Sequence, residues 1–448
     1  MLMSPHSATG DPRLSFWLHV REFAVPASVI ETATTRRLAG DWAGACAAAG
    51  VDVDLDLRSA AHRHGRETAD RIRGDLRALA PDLLRWHLPR VAPDGLLRPG
   101  LTVSLARYGE LHLVVRTPPH RASGGQRFGL ALRDAAGRRW PAPGRPPAHP
   151  ADASHPHPRP SPRFRLDLHR HLWDAGRSAE LPFRSGGPDR WTAEARILLR
   201  AEGRPDGVGA VRVRLGAHEV VVDTGTGGPT APGSSLPVLP DAAARVPPDL
   251  ELLRAGLIGP DALHPLVAAA LAPAAPGVPA TDGAPGTDRV PTTDRAPAPD
   301  RGPDGPRIVH CRGSSHRIGL VDGVLTALDH HPDEIRREEL LMALTGTPLP
   351  CLQTIDDAHR RPESLADVRA RLDHGDTAGA LAVVEGLIGA DATLRAGALR
   401  DALAAAAERR VAHGLFRAGL ADPAPHRTAP SRPRPQGLRG HPRHANGR

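Results

Sequence analysis

The sequence predicts an α+β protein: a helical N-terminal region, an antiparallel β-sandwich-like middle and a mainly helical C-terminal domain, with a long disordered linker and tail. Three observations carry this. Apolar residues recur at helical spacing near both ends of the 448-residue chain, alternate with a period of two between Leu101 and Thr224, and give way to Pro/Gly-rich sequence elsewhere.

Residues 1–100 form the helical region. "ASVIETATTRRLA" starts a helix near Ser28, Asp41 caps "WAGACAAAG", and Asp56 caps a third helix reaching Leu79. Pro89, Pro93 and Pro99 close the region. Residues 101–224 are β-rich. "LTVSLARY", "LHLVVRT", "RFGLALRD", "RFRLDLH", "AEARILLRA", "AVRVRLG" and "HEVVVDT" read as short strands around a Pro/His-rich exposed loop at 141–162. Residues 225–306 read as a mostly disordered linker with a short helical island at 248–271. In 307–420, Asp322-Gly323 marks a β-hairpin, followed by helices. A disordered basic tail, 421–448, ends the chain.

One phrase occurs twice. "LAGDWAGACAAAG" from Leu38 and "LDHGDTAGALAVVEG" from Leu372 share Gly-Asp-x-Ala-Gly-Ala: Gly40, Asp41, Gly44, Ala45 and Gly375, Asp376, Gly379, Ala380. Glycine ends one helix in the left-handed conformation, Asp caps the next, and the small residues permit close packing. This helical-hairpin punctuation resembles the second half of a tetratricopeptide unit at Gly40, Asp41, Trp42 and Ala45. Thr377 replaces the aromatic in the second copy, and the copies lack a period of about 34 residues. The segment "HRIGLVDGVLTALDHHPDE … PLPCL" resembles a recurring element of a functionally uncharacterised actinobacterial protein family, and that resemblance implies no activity.

Composition excludes several chemistries. All 58 Lys+Arg positions are arginine. A Walker phosphate loop, Schiff-base or pyridoxal-phosphate catalysis, and protein-kinase chemistry each need the missing lysine. The formal charge is +8, but it is unevenly placed: residues 116–200 hold 16 Arg against 7 Asp+Glu, and the tail 6 against 1. Cys46, Cys311 and Cys351 are too few for a disulfide framework and point to a cytoplasmic location. The N-terminus has no secretory pattern and no apolar run is long enough to cross a membrane.

Several clusters fit part of a site. His169, His171 and Asp174 have a His-x-His-x-x-Asp spacing compatible with a metal, though a solvated Arg/His-rich face is the simpler expectation. His155 and His157 are expected to be solvated in the proline loop. His310, Cys311 and His316, with Cys351 as a possible neighbour in space, lack a Cys-x-x-Cys pair. Asp52, Asp54 and Asp56 begin like a calcium loop, but Leu57 and Arg63 stand where Gly and Glu belong. Neither Ser314 nor Ser315 lies in a Gly-x-Ser-x-Gly elbow. No residue is assigned as catalytic, cofactor-binding or metal-binding, and no cofactor is expected. The expected function is a cytoplasmic, non-enzymatic binding or scaffold protein acting on a protein partner through helical hairpins. The alternatives are a metal-dependent hydrolase using His169, His171 and Asp174, or weak nonspecific nucleic-acid binding through Arg-rich segments.

Overall fold

The computed structural model describes residues 11–134, 155–272 and 307–420, apart from 185, 205, 217, 226–235, 312, 322–323, 346–348 and 390–392. The N-terminal region is helical, as its spacing predicts. Asp11 caps α1 (Pro12–Phe23) by accepting the Arg13 amide. Helices α2 (Ala27–Leu38) and α3 (Trp42–Ala48) form the first hairpin. The single helix expected after Asp56 is two, α4 (Leu57–His64) and α5 (Arg66–Ala78), because Gly65 adopts φ +86°. Helix α6 (Pro81–His87) follows.

Asp52 and Asp54 lie in a strand the alternation did not announce, β1 (Val51–Asp54). A hairpin of β2 (Arg90–Val91) and β3 (Leu96–Leu97) leads to β4 (Thr102–Tyr108), β5 (Leu111–Arg116) and β6 (Phe128–Asp134). These strands form one sheet in the order β1-β6-β5-β4, with β1 parallel to β6 and the other pairs antiparallel. The middle therefore holds this sheet and a separate hairpin of β7 (Ala210–Leu215) and β8 (His218–Asp223), in place of two facing sheets. Residues 155–167 run along the outer edge of β4: Thr102 and Ser104 carbonyls accept the amides of Ser161 and Asp167. An open sheet edge is thereby covered, and the described end of the 141–162 loop is largely exposed, as expected, apart from the buried His155.

Two strand expectations fail. "RFRLDLH" makes an isolated bridge, Arg165 to Ser104. "AEARILLRA" lies within a helix: after α7 (Leu181–Arg184) comes α8 (Trp191–Ala201), which buries Ala195, Leu198 and Leu199 on one face. The supposed linker is ordered over 236–272. Helices α9 (Asp241–Ala244), α10 (Pro248–Arg254) and α11 (Pro265–Leu271) pack into the protein, while 226–235 and 273–306 lie outside the described residues. Asp249 of α10 receives two hydrogen bonds from Arg21, at 2.6 and 2.8 Å, and both side chains are almost fully buried. His264 Nε2 stands 2.9 Å from Asp82 Oδ2. One hydrophobic core runs from Val20 through the sheet to Val267, so residue 100 divides no core.

In the C-terminal part, β9 (Arg307–Cys311), β10 (Ser314–Val321) and β11 (Val324–Ala327) form an antiparallel sheet. Val321 pairs with Val324 across the expected hairpin turn, whose Asp322 and Gly323 lie outside the described residues. Helices α12 (Pro332–Thr345), α13 (Pro350–Arg360), α14 (Leu365–His374), α15 (Thr377–Ile388) and α16 (Ala398–Ala418) follow. This part docks onto the first. His413 Nδ1 donates to Ala122 O at 2.8 Å and its Nε2 lies 3.1 Å from Asp52, while Arg417 binds Asp54 at 2.9 Å. The basic tail beyond residue 420 lies outside the described residues.

The repeated phrase closes both hairpins alike. Asp41 and Asp376 accept the amides of Gly44 and Gly379 at 2.8 and 2.9 Å. Gly40 and Gly375 have φ +78° and +88°. Their surroundings differ: a Cβ on Gly40 meets nothing within 4 Å, whereas one on Gly375 would lie 2.3 Å from Gly125 O. Gly40→Ala should cost about 1–2 kcal/mol from left-handed backbone alone. Gly375→Ala should lower the melting temperature of the full chain further, because it also separates the docked parts. Equal melting temperatures for the two variants would refute this contact.

Candidate functional site

The first part contains a cavity of about 380 Å³ built from five segments. Arg13 and Trp17 reach it from one face of α1, four residues apart. His87 closes α6, where Pro89 prevents continuation, and Arg90 and Arg98 flank the short hairpin. Arg163, Phe164 and His171 enter from the segment crossing the sheet edge, Arg184 from α7, and Asp241 and Arg245 from α9. Six arginines thus face one cavity-lining carboxylate.

Ion pairs account for three of them. Arg13 lies 2.7 Å from Glu251, Arg163 2.6 Å from Asp241, and Arg184 2.8 Å from Glu194. Burial would raise the Glu194 carboxyl, but hydrogen bonds from His169 and Arg184 hold it down at about 2. Among the described residues, Arg90, Arg98 and Arg245 have no carboxylate partner. Arg90 donates to the carbonyls of Arg85 and Gly95, and its Nε is buried without a hydrogen-bond partner there. Burial and the neighbouring Arg85 and Arg21 push the Arg90 guanidinium well below its ordinary value.

Two imidazoles complete the lining. His87 Nδ1 lies 3.1 Å from both Leu83 O and Leu172 O, which fixes the proton there. The remaining Nε2 carries a lone pair and has no hydrogen-bond partner among the described residues, and His171 Nδ1 is likewise without a partner there. Burial pushes His87 down to about 4, despite the opposing charge of Asp249. Burial and the nearby His169 and Arg184 push His171 down to about 2. Both rings are therefore neutral at pH 7 and can accept a hydrogen bond, while the surrounding guanidinium groups donate.

The expected His169, His171 and Asp174 set does not converge. These residues are buried, contrary to the expected solvated face. His169 Nδ1 lies 2.9 Å from Arg165 O and its Nε2 3.4 Å from Glu194. Asp174 instead accepts the Gly176 amide and lies 3.4 Å from Arg170. His155 is also buried, against Thr117 O, while His157 donates its amide to His155 Nδ1. Asp52 and Asp54 bind Arg127, His413 and Arg417 as strand residues. His310 pairs with Ser315 and points away from the cysteines, but Cys311 and Cys351 do come together, joined by His330, which the spacing did not mark.

A second hollow of about 500 Å³ lies beside Tyr108. Of its four arginines, Arg107, Arg165 and Arg170 are matched by Asp167, Glu202 and Asp75 and Arg71 lies over the Tyr108 ring, so it has less unpaired charge. No known protein family matches the chain, and no curated protein or solved structure is significantly similar to it. No helix among the described residues is long and apolar enough to cross a membrane.

The buried imidazoles set a pH dependence. His87 and His155 sit at about 4, His374 at about 3 and His171 at about 2, each lowered chiefly by burial. An unfolded histidine titrates near 6.5 (approximately). Below that pH the unfolded chain binds more protons, so folding stability falls as pH drops. The melting temperature should decline between about pH 6.5 and 5, before most carboxylates titrate, and His171→Gln should reduce the slope. A flat wild-type profile over that interval would contradict the buried neutral state.

Proposed function

We propose that the protein is a cytoplasmic, non-enzymatic binding protein whose ligand is a small organic anion carrying a hydroxyl group. The observation that carries this reading is the convergence of Arg90, Arg98 and Arg245, with no carboxylate partner among the described residues, on a cavity that also holds His87 and His171. Guanidinium forks match phosphate and carboxylate oxygens. The lone pair on His87 Nε2 matches a hydroxyl donor. Trp17 and Phe164 offer ring surface to an apolar or planar part, and the volume lies within the usual range for small-molecule sites of about 300–1,000 Å³.

The reading does not call on the hairpins for partner recognition. The α2–α3 hairpin joins the main core, and the α14–α15 turn abuts Gly125, so both have structural contacts already. Nucleic-acid binding through residues 116–200 is also less favoured. Arg127, Arg163, Arg165, Arg170, Arg177 and Arg184 all form ion pairs with carboxylates.

Calorimetry of the full chain with AMP, glycerol 3-phosphate and citrate, and with adenosine as the uncharged control, tests the proposal. At least one anion should bind while adenosine does not. Arg98→Ala with Arg245→Ala should weaken that anion by about tenfold or more, since a charge-assisted hydrogen bond contributes roughly 1.5–3 kcal/mol. Both side chains belong to exposed residues, so the melting temperature should stay near that of the wild type. Failure of all three anions to bind, or binding unaffected by the double substitution, would overturn the reading.

A further inference from the structure

The C-terminal sheet and its first helices have a small core of their own: Cys311, Ile318, Ala327, Cys351 and Ile355. Two of these five buried residues are cysteines, and they carry free thiols. A core this small ordinarily needs a staple such as a disulfide or a metal. Cys311 ends β9, His330 precedes α12 and Cys351 lies in the first turn of α13. One ligand atom from each lies within 4.8 Å of the other two.

The histidine is oriented for ligation. His330 Nδ1 stands 3.3 Å from Glu334 Oε2, a contact that places the ring proton on Nδ1. Its Nε2 is left with a lone pair, is buried, and has no hydrogen-bond partner among the described residues. The His330 side chain is 5% exposed. His316 stacks on His330 with ring centroids 4.1 Å apart, and its Nδ1 is likewise buried without a partner there.

We propose that Cys311, His330 and Cys351 bind one zinc ion, with His316 supplying the fourth ligand after a side-chain rotation. Two thiols and an imidazole favour zinc over magnesium or calcium, which select oxygen ligands. Binding replaces the two thiol protons, which leave to solvent, so two thiolates neutralise the dication. The ion links a strand end, a loop and a helix start. Glu334 is a positioning residue that acts through His330.

The test is elemental analysis and cobalt spectroscopy of the reduced, tag-free full chain. The wild type, loaded with zinc and dialysed, should retain about one ion per chain, the stoichiometry of a single structural site. Cobalt added to metal-free wild type should give thiolate-to-cobalt charge transfer and the intense visible bands of a tetrahedral site. Cys351→Ser should lose both signals, and Glu334→Gln should weaken metal binding by about 10–100-fold. His310→Ala should leave binding unchanged, since that side chain pairs with Ser315 instead. The cobalt titration uses the unsubstituted chain, so misfolding of a variant cannot mimic a negative result. No retained zinc and no cobalt charge transfer in reduced wild type, or full zinc retention by Cys351→Ser, would overturn the proposal.

Discussion

Four carbonyl oxygens from four distant segments converge on the buried guanidinium of Arg85. Its Nε donates to Ala24 O at 3.1 Å, Nη1 to Gln126 O at 2.8 Å and Ala49 O at 3.4 Å, and Nη2 to His374 O at 2.9 Å. These acceptors follow α1, end the α3 turn, precede β6 and close α14. Burial pushes this guanidinium down to about 10, still protonated at neutral pH. A buried charge tolerated without a carboxylate needs this many acceptors. The α6 helix, the sheet entry and the C-terminal hairpin are thereby held in one relation, and the Arg85 carbonyl in turn orients Arg90 toward the cavity.

The absence of lysine gives this arrangement its logic. A lysine ammonium has three donors on a flexible stem, whereas arginine presents five in a plane. Arg21 uses this plane to bind Asp249 and the Trp86 carbonyl while its guanidinium lies 4.4 Å above the Trp86 ring. Most buried arginines are satisfied in such ways. Charge is left over where the segments carrying Arg90, Arg98 and Arg245 meet, and there the cavity acquires its preference for anions.

Local punctuation was legible in the sequence. Asp41 and Asp376 were readable as caps, and their carboxylates explain the glycines three residues later: a Cβ at Gly44 or Gly379 would lie 2.0 or 2.1 Å from Oδ2 of the capping carboxylate. The matching Arg36 and Arg371, each 3.2 Å from its Asp, lie on the preceding helices, outside the repeated phrase. Strands with clean alternation, such as Ala210–Leu215, were also clear. The segment 193–201 reads as a strand because Ile197, Leu198 and Leu199 fit either a strand or the buried face of the helix that they form. The α+β class could be read, but not the docking of 307–420 onto the rest. Neither the cavity nor the Cys311, His330, Cys351 cluster has a spacing signal, since each gathers residues from separate segments.

The central claim is that Arg85 binds the two parts of the chain into a single body. It is tested most directly by inserting a protease site after residue 290, cleaving the folded protein and following the fragments by size-exclusion chromatography. The fragments should elute together from the wild-type background and come apart in Arg85→Met, which removes the donor to His374 O. Separation in the wild-type background, or undiminished association in Arg85→Met, would contradict the account.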